Sequence, residues 1–217
     1  MNKRLSILKE IFVGLEQQAS LEAAAVAAEA LDGKAGIERE KVFYCKIANF
    51  TQLEKAASWE DQEQWEIRPT ETGTGVVRVR KTSAGELSLA TKVFSGDAKV
   101  ETEIEIPEDI FEGFRAVAPG GMIKRRYVFP IPDTKFKWEI DVYRVRGDEW
   151  SEWCKVDLEC DDLNMDNPAF PVEFSEVISG DRSKITQEQR EILDDLFKNV
   201  FITPNPKLKT VSAEQRK

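Results

Sequence analysis

Two spacings of apolar residues divide the chain. Between residues 4 and 31, Leu5, Leu8, Ile11, Leu15 and Ala19 recur at three- and four-residue steps and run into the Ala-rich tract LEAAAVAAEAL. That spacing predicts one long helix, closed by Gly33 and Gly36. From Ile37 onward the apolar positions alternate, which is the strand signature. IEREKVFYCKIA (37–48) reads as a first strand, and TQLEKAASWEDQ (51–62) as a short helix with Thr51 as its N-cap. Segments 64–69, 75–82 and 86–94 form a meander with turns at ETGTG and SAGE, and 99–106 is a fifth strand. A helix starts at Pro107, a favoured first helical position, and stops before the PGG at 119–121. Strands follow at 121–129, 135–146 and 152–160, then an extended piece at 170–178 and a last helix, ITQEQREILDDLFKNVF.

The expected organisation is a helical arm over 1–36, a β-rich domain over 37–202 and a polar tail over 203–217. The arm is expected to pack on the body or on a second copy of the chain, so a homodimer through this helix is one expectation. No internal repeat or low-complexity linker interrupts the order.

Parity along each strand separates two faces. One carries Glu38, Glu40, Val42, Tyr44 and Lys46; Arg78 and Arg80; Lys92; Glu101, Glu103 and Glu105; Lys124 and Arg126; Lys137, Glu139 and Asp141; and Lys155, Asp157 and Glu159. The other carries Phe43, Cys45 and Ile47; Val77 and Val79; Trp138, Ile140 and Val142; and Cys154, Val156 and Leu158. An open sheet with one wet face would produce such alternation on any single strand. Here the charged side has hardly any Ser, Thr, Asn or Gln to dilute it, and the apolar side needs helices to cover it. A mainly β, α+β fold satisfies both: an eight-stranded antiparallel closed barrel with a charged lumen, helices packed outside and an extra N-terminal helix.

Composition narrows the chemistry. The chain has no histidine, which removes Ser-His-Asp chemistry, Cys-His chemistry and imidazole-bound zinc. Cys45, Cys154 and Cys160 have neither a paired framework nor metal-ligand spacing, so a reducing, cytoplasmic setting is expected. No run of 18 apolar residues is present to span a membrane, and Lys9 and Glu10 break the apolar run of the N-terminus, making it a poor export signal. The net charge of −9 argues against a general nucleic-acid coat, although an RNA 5′ end stays open as a ligand. It leaves room for a small anion in a locally basic cavity. Arginine forks and lysines match phosphate oxygens. Clustered carboxylates repel unless a divalent cation lies between them, and Mg²⁺ or Mn²⁺ usually binds phosphates jointly with one or two carboxylates. Together these suggest a metal–polyphosphate site.

In this order the motifs resemble the CYTH, or triphosphate tunnel metalloenzyme, family. IEREKVF resembles its opening Glu-x-Glu-x-Lys signature through Glu38 and Glu40, with Val42 where the lysine belongs. VRVRK, SLATK, VETEIEI and KRRY follow with Arg78, Arg80, Lys92, Glu101 or Glu103, and Arg126. WEIDVY, VDLEC and FSEVISGD complete the series with Asp141, Asp157, Glu159 and Glu176. Lys46 shares the parity of the missing lysine and is an available substitute; a register that aligns it with that lysine loses the two glutamates. The resemblance spans residues 37–182 and implies an eight-stranded antiparallel tunnel. It also implies metal-dependent hydrolysis of a small triphosphorylated molecule, such as inorganic triphosphate, thiamine triphosphate or a nucleotide, with cyclisation of ATP as a relative's alternative. Arg78, Arg80, Lys92 and Arg126, with Asp141, would be catalytic. Lys46 and Lys124 would join the four cations in binding substrate, and Glu38, Glu40, Asp157 and Glu159 would hold Mg²⁺ or Mn²⁺. Two other readings stand beside it: a nucleotide or polyphosphate binder without turnover, and an interaction protein that works through the helix at 4–31.

Overall fold

The structure is a computed structural model that describes residues 34–67, 75–95, 98–145, 149–160, 165–181 and 183–200. The predicted helix over 4–31 and the tail over 203–217 lie outside the described residues. The strands are β1 (Lys34–Glu38), β2 (Glu40–Ile47), β3 (Ser58–Ile67), β4 (Gly75–Thr82), β5 (Leu87–Ser95), β6 (Ala98–Glu105), β7 (Gly120–Pro130), β8 (Lys137–Arg144), β9 (Trp150–Glu159) and β10 (Phe174–Ser179). Two helices, α1 (Glu108–Val117) and α2 (Gln187–Val200), and a 3-10 helix at Phe50–Lys55 complete the described elements. No helix among the described residues is long and apolar enough to cross a membrane.

The strands form one sheet in the order β1-β6-β5-β4-β3-β7-β8-β9-β2-β10, antiparallel at every pairing. It has ten strands where eight were expected, and β1 and β10 are its edges, so hydrogen bonds do not close it into a ring. The expected first strand accounts for part of the difference. It breaks at Arg39, whose carbonyl accepts the Cys160 N–H at 3.1 Å. Beyond that point β2 pairs with β9, whereas β1 pairs with β6. Two residue steps separate Glu38 from Glu40, a span of at most about 7 Å. The two flanks of the sheet are therefore tied together by the chain itself, and the sheet must curl.

Residues 58–62 are strand rather than the expected helix. The alternation of SWEDQEQWEI wins over the helical spacing, and the helix before it shrinks to one 3-10 segment. Its N-cap is Asn49, whose side chain accepts the Thr51 N–H, not Thr51. Pro107 is likewise the N-cap of α1, in extended conformation, one position before the helix proper.

The apolar face divides into two clusters. Trp138, Ile140, Val156, Leu158 and Cys45 pack under Leu53 of the 3-10 helix and Val172. Trp65, Val77, Val79 and Leu89 pack under Phe111 of α1. α2 departs from the expectation that helices pack outside. Its Leu196 and Val200 cluster with Tyr143, Met122 and Trp153, and its Phe197 ring meets Tyr44 edge-on at 5.7 Å. Tyr44, Tyr143 and Met122 belong to the charged-face rows by register. They are the apolar members of that face at one end, which is why an apolar helix stripe settles there.

Gly121 marks a close approach inside the sheet. A Cβ there would lie 2.6 Å from both the Gln64 carbonyl oxygen and the Trp65 ring, whereas a Cβ on Gly113 of α1 would meet nothing within 4 Å. Gly121→Ala is expected to destabilise the protein by about 1–3 kcal/mol and Gly113→Ala to stabilise it by about 1 kcal/mol, as read from urea-unfolding midpoints.

Candidate functional site

Cross-strand partners share a face, so the register places the charged residues in continuous rows. From β4 to β6 the rows run Arg78 to Ala90 to Glu103 and Arg80 to Ser88 to Glu105, with Lys92 opposite Glu101. On the other flank they run Glu60 to Arg126 to Asp141 to Lys155 to Tyr44, and Glu139 to Asp157 to Val42. The face holding these charges is deeply buried. Asp141 is 1% exposed, Asp157 3%, Lys124 4% and Glu139 6%. Among the described residues, α2 covers this face at one end.

Burial of charge on this scale requires pairing, and the pairs fall into three groups. On β4–β6, Glu101 receives Arg78 Nη2 and Lys92 Nζ, each at 2.5 Å, while Arg80 donates to Glu103. On β7–β8, Asp141 receives Arg126 in a fork, Nε to Oδ1 at 2.7 Å and Nη2 to Oδ2 at 2.8 Å, and Lys124 Nζ at 2.5 Å. Arg126 also pairs with Glu139, which holds Lys137 at 2.8 Å, and Lys137 reaches Glu159 at 3.3 Å. On β9–β2, Lys155 sits 2.5 Å from Asp157 and 3.9 Å from Glu40.

Two polar atoms stay unmatched in these groups among the described residues: Arg78 Nε, a donor, and Asp157 Oδ1, an acceptor. The electrostatics follow. Burial raises Asp157 above the usual carboxylate range, and the nearby Glu40 and Asp141 charges add to the rise against the pull of Lys155. Asp141 stays well below that range: burial alone would raise it, but Arg126 and Lys124 outweigh the cost. Lys124 is pushed down to about 7 by burial and by Arg126 beside it, with Asp141 pulling the other way. Burial also lowers Arg78; Glu101 offsets part of that, while Arg80 and Arg126 add to it.

The structure thus brings together most of the residues singled out from sequence. Arg78, Arg80 and Lys92 lie on one flank, Lys124, Arg126 and Asp141 on the next, and Glu40, Asp157 and Glu159 beside them. Glu40 and Glu159 are direct cross-strand partners. Lys46 shares the face but lies toward the α2 end, opposite Trp153, paired with Glu152 at 3.8 Å and Glu176 at 3.7 Å. The backbone of Glu38 pairs with Lys99, and its side chain is outside the described part. Lys41 points away, donating to the Met165 carbonyl and to Asn167, as its parity requires. Lys137, Glu139 and Lys155 knit the groups together without having been named as site residues, although their parity matches Asp141 and Asp157. The row Glu60, Gln62, Gln64 and Glu66 on β3 was missed for another reason: reading 51–62 as helix split it, leaving only Gln64 and Glu66 in an expected strand.

No protein family model matches the chain, and no curated protein matches it. Among solved structures the chain is similar to the inorganic triphosphatase NE1496, at 20% identity over 67% of this chain and 91% of that one, with a TM-score of 0.42. It is also similar to the Hippeastrum protein HpAC1, whose structure is described with a dominant triphosphatase activity: 14% identity, 74% and 86% covered, TM-score 0.45. A third is the PH1819 protein of Pyrococcus horikoshii, at 16% identity, 78% and 94% covered, TM-score 0.40.

Asp141 is the carboxylate on which Arg126 and Lys124 both depend. Asp141→Asn keeps the shape but strands two buried cations. It is expected to cost about 3–5 kcal/mol, measured by urea unfolding, with Asp181→Asn at an exposed position as the control that stays near wild type.

Proposed function

We propose that the charged face is the inner wall of a tunnel that binds a triphosphate together with Mg²⁺ or Mn²⁺ and hydrolyses its terminal phosphoryl group. One observation carries this reading: the same buried face holds an unmatched guanidinium N–H at Arg78 Nε and an unmatched carboxylate oxygen at Asp157 Oδ1. The first lacks an anionic oxygen and the second a cation. A metal–phosphate complex supplies both.

The strand order supports this reading. With β1 and β2 counted as one bent strand joining β6 to β9, the order closes on eight members, and β4 then stands opposite β9. Those two strands carry Arg78 and Asp157. An eight-stranded barrel has room for side chains and one small ligand.

In this reading Arg78, Arg80, Lys92, Lys124 and Arg126 grip the phosphate chain. Glu101, Glu103 and Asp141 hold those side chains in place before the ligand arrives, so little reorganisation is needed as charge develops in the transition state. Asp141 orients Arg126 and Lys124 and contacts phosphate only through them. Asp157, Glu40 and Glu159 fit a divalent cation: all are hard oxygen donors on neighbouring strands, and Asp157 has an oxygen to spare. Among the described residues no three such side chains converge into a complete cage, so phosphate oxygens would have to complete the coordination. Bound there, it would offset phosphate charge and polarise the terminal phosphoryl group. Lys155 limits repulsion within this acidic group until then.

A second reading, a binder without turnover, is favoured by Val42 standing where the resembled motif has lysine. A phosphate-release screen over inorganic triphosphate, thiamine triphosphate and nucleoside triphosphates, run with Mg²⁺, with Mn²⁺ and with chelator, decides between them. Hydrolysis predicts release that chelator abolishes and that Arg80→Ala lowers by about 100-fold. Triphosphate binding with no release in any arm leaves the binder.

Lys124 adds a pH signature. Its ammonium is protonated below about pH 7 and loses its charge above, so the grip on a polyanion weakens as pH rises. The ligand's own ionisation is common to all variants. Between pH 6 and 9 the affinity for inorganic triphosphate is therefore expected to fall in wild type relative to Lys124→Arg, as measured by titration calorimetry.

A further inference from the structure

On β3, between the two cation groups, lies a row unlike the rest of the face: Glu60, Gln62, Gln64 and Glu66 at alternate positions. Gln62 stands opposite Lys124 on β7 and Thr82 on β4, and Gln64 opposite Arg80 and Met122. Both are buried, at 1% and 6% exposed. The Gln62 amide donates to Glu60 and the Gln64 amide to Glu66, the latter at 3.3 Å. Those bonds decide which way the carboxamides face, since the opposite flip would set two oxygens against two carboxylates. Both Oε1 atoms are left without a partner among the described residues.

We infer that Gln62 and Gln64 form a donor-reading subsite, which accepts hydrogen bonds from the part of the bound complex that is not phosphate. This rests on the reading of the face as a triphosphate site and deepens it. An ionised phosphate cannot satisfy these atoms, because its oxygens only accept. The neighbouring cations do not bond to them either: Lys124 donates to Asp141 and Arg80 to Glu103, and neither reaches a glutamine oxygen. An unmade hydrogen bond at a buried oxygen is costly, so a ligand that brings an N–H or O–H gains where a bare polyanion does not. The donor is either an amine or hydroxyl of an organic triphosphate, or water carried on the accompanying cation. Gln62 and Gln64 are then specificity residues, set beside the cations that bind the phosphates.

The test is equilibrium binding by calorimetry in three arms: ATP in chelator, inorganic triphosphate in chelator, and inorganic triphosphate with Mg²⁺. Gln62→Leu and Gln64→Leu are compared with Gln64→Glu, which keeps acceptor oxygens at the position. The readout is the ratio of dissociation constants between arms, so a general loss of anion affinity cancels. The leucine variants are expected to lose about tenfold of the wild-type preference for ATP over inorganic triphosphate, while Gln64→Glu retains it. If the ratio instead moves only between the two inorganic arms, the donor is the cation's water and the subsite stands with that source. Equal changes in every arm, or none, overturn the inference while triphosphate binding itself survives. Absence of binding in wild type overturns it together with the triphosphate reading. A leucine variant that fails to fold leaves the decision to the other one and to Gln64→Glu, whose loss of the ratio would also count against the subsite.

Discussion

The structure turns on the pairing of buried charge. Asp141 sits between a guanidinium fork and an ammonium on the charged face, and together with Glu139 it compensates the buried Arg126 and Lys124. A buried ion pair adds little net stability compared with an apolar substitute, but it is severely punished when broken. Such a network on the concave face is therefore poor evidence of selection for stability alone.

The same constraint organises the architecture. A sheet with one apolar and one charged face can solvate the charged side if it stays flat. This one curls because β1 and β2 are consecutive in the chain yet belong to opposite flanks. The apolar face packs under the 3-10 helix and α1, and the buried charges of the other face must satisfy each other. Among the described residues, four polar atoms of this face stay unmatched: Arg78 Nε is a donor, and Asp157 Oδ1, Gln62 Oε1 and Gln64 Oε1 are acceptors.

Much of this was legible in the residues. Alternation alone assigned Arg78 and Arg80 to one side and Val77 and Val79 to the other, and the register agrees strand by strand because a period of two leaves no freedom once one face is apolar. Reading failed where two periods competed. In TQLEKAASWEDQ, Leu53 and Ala57 imitate a helix face, and only pairing with β4 and β7 commits residues 58–62 to a strand. That misreading concealed Gln62, whereas Gln64 lay inside the expected strand at 64–69. The break at Arg39 was hidden as well, since the alternation of IEREKVFYCKIA continues across it unchanged.

By itself, the amino-acid order determined the strand content, the division of each strand into an apolar and a charged side, and the exclusion of histidine-based chemistry. These depend on local period and on residue type, which a single chain displays in full. Tertiary structure alone decided which cation meets which carboxylate, that α2 covers one end of the charged face, and which polar atoms are left without a partner. Those outcomes depend on distances between strands far apart in sequence, and on whether water is excluded from the face they share.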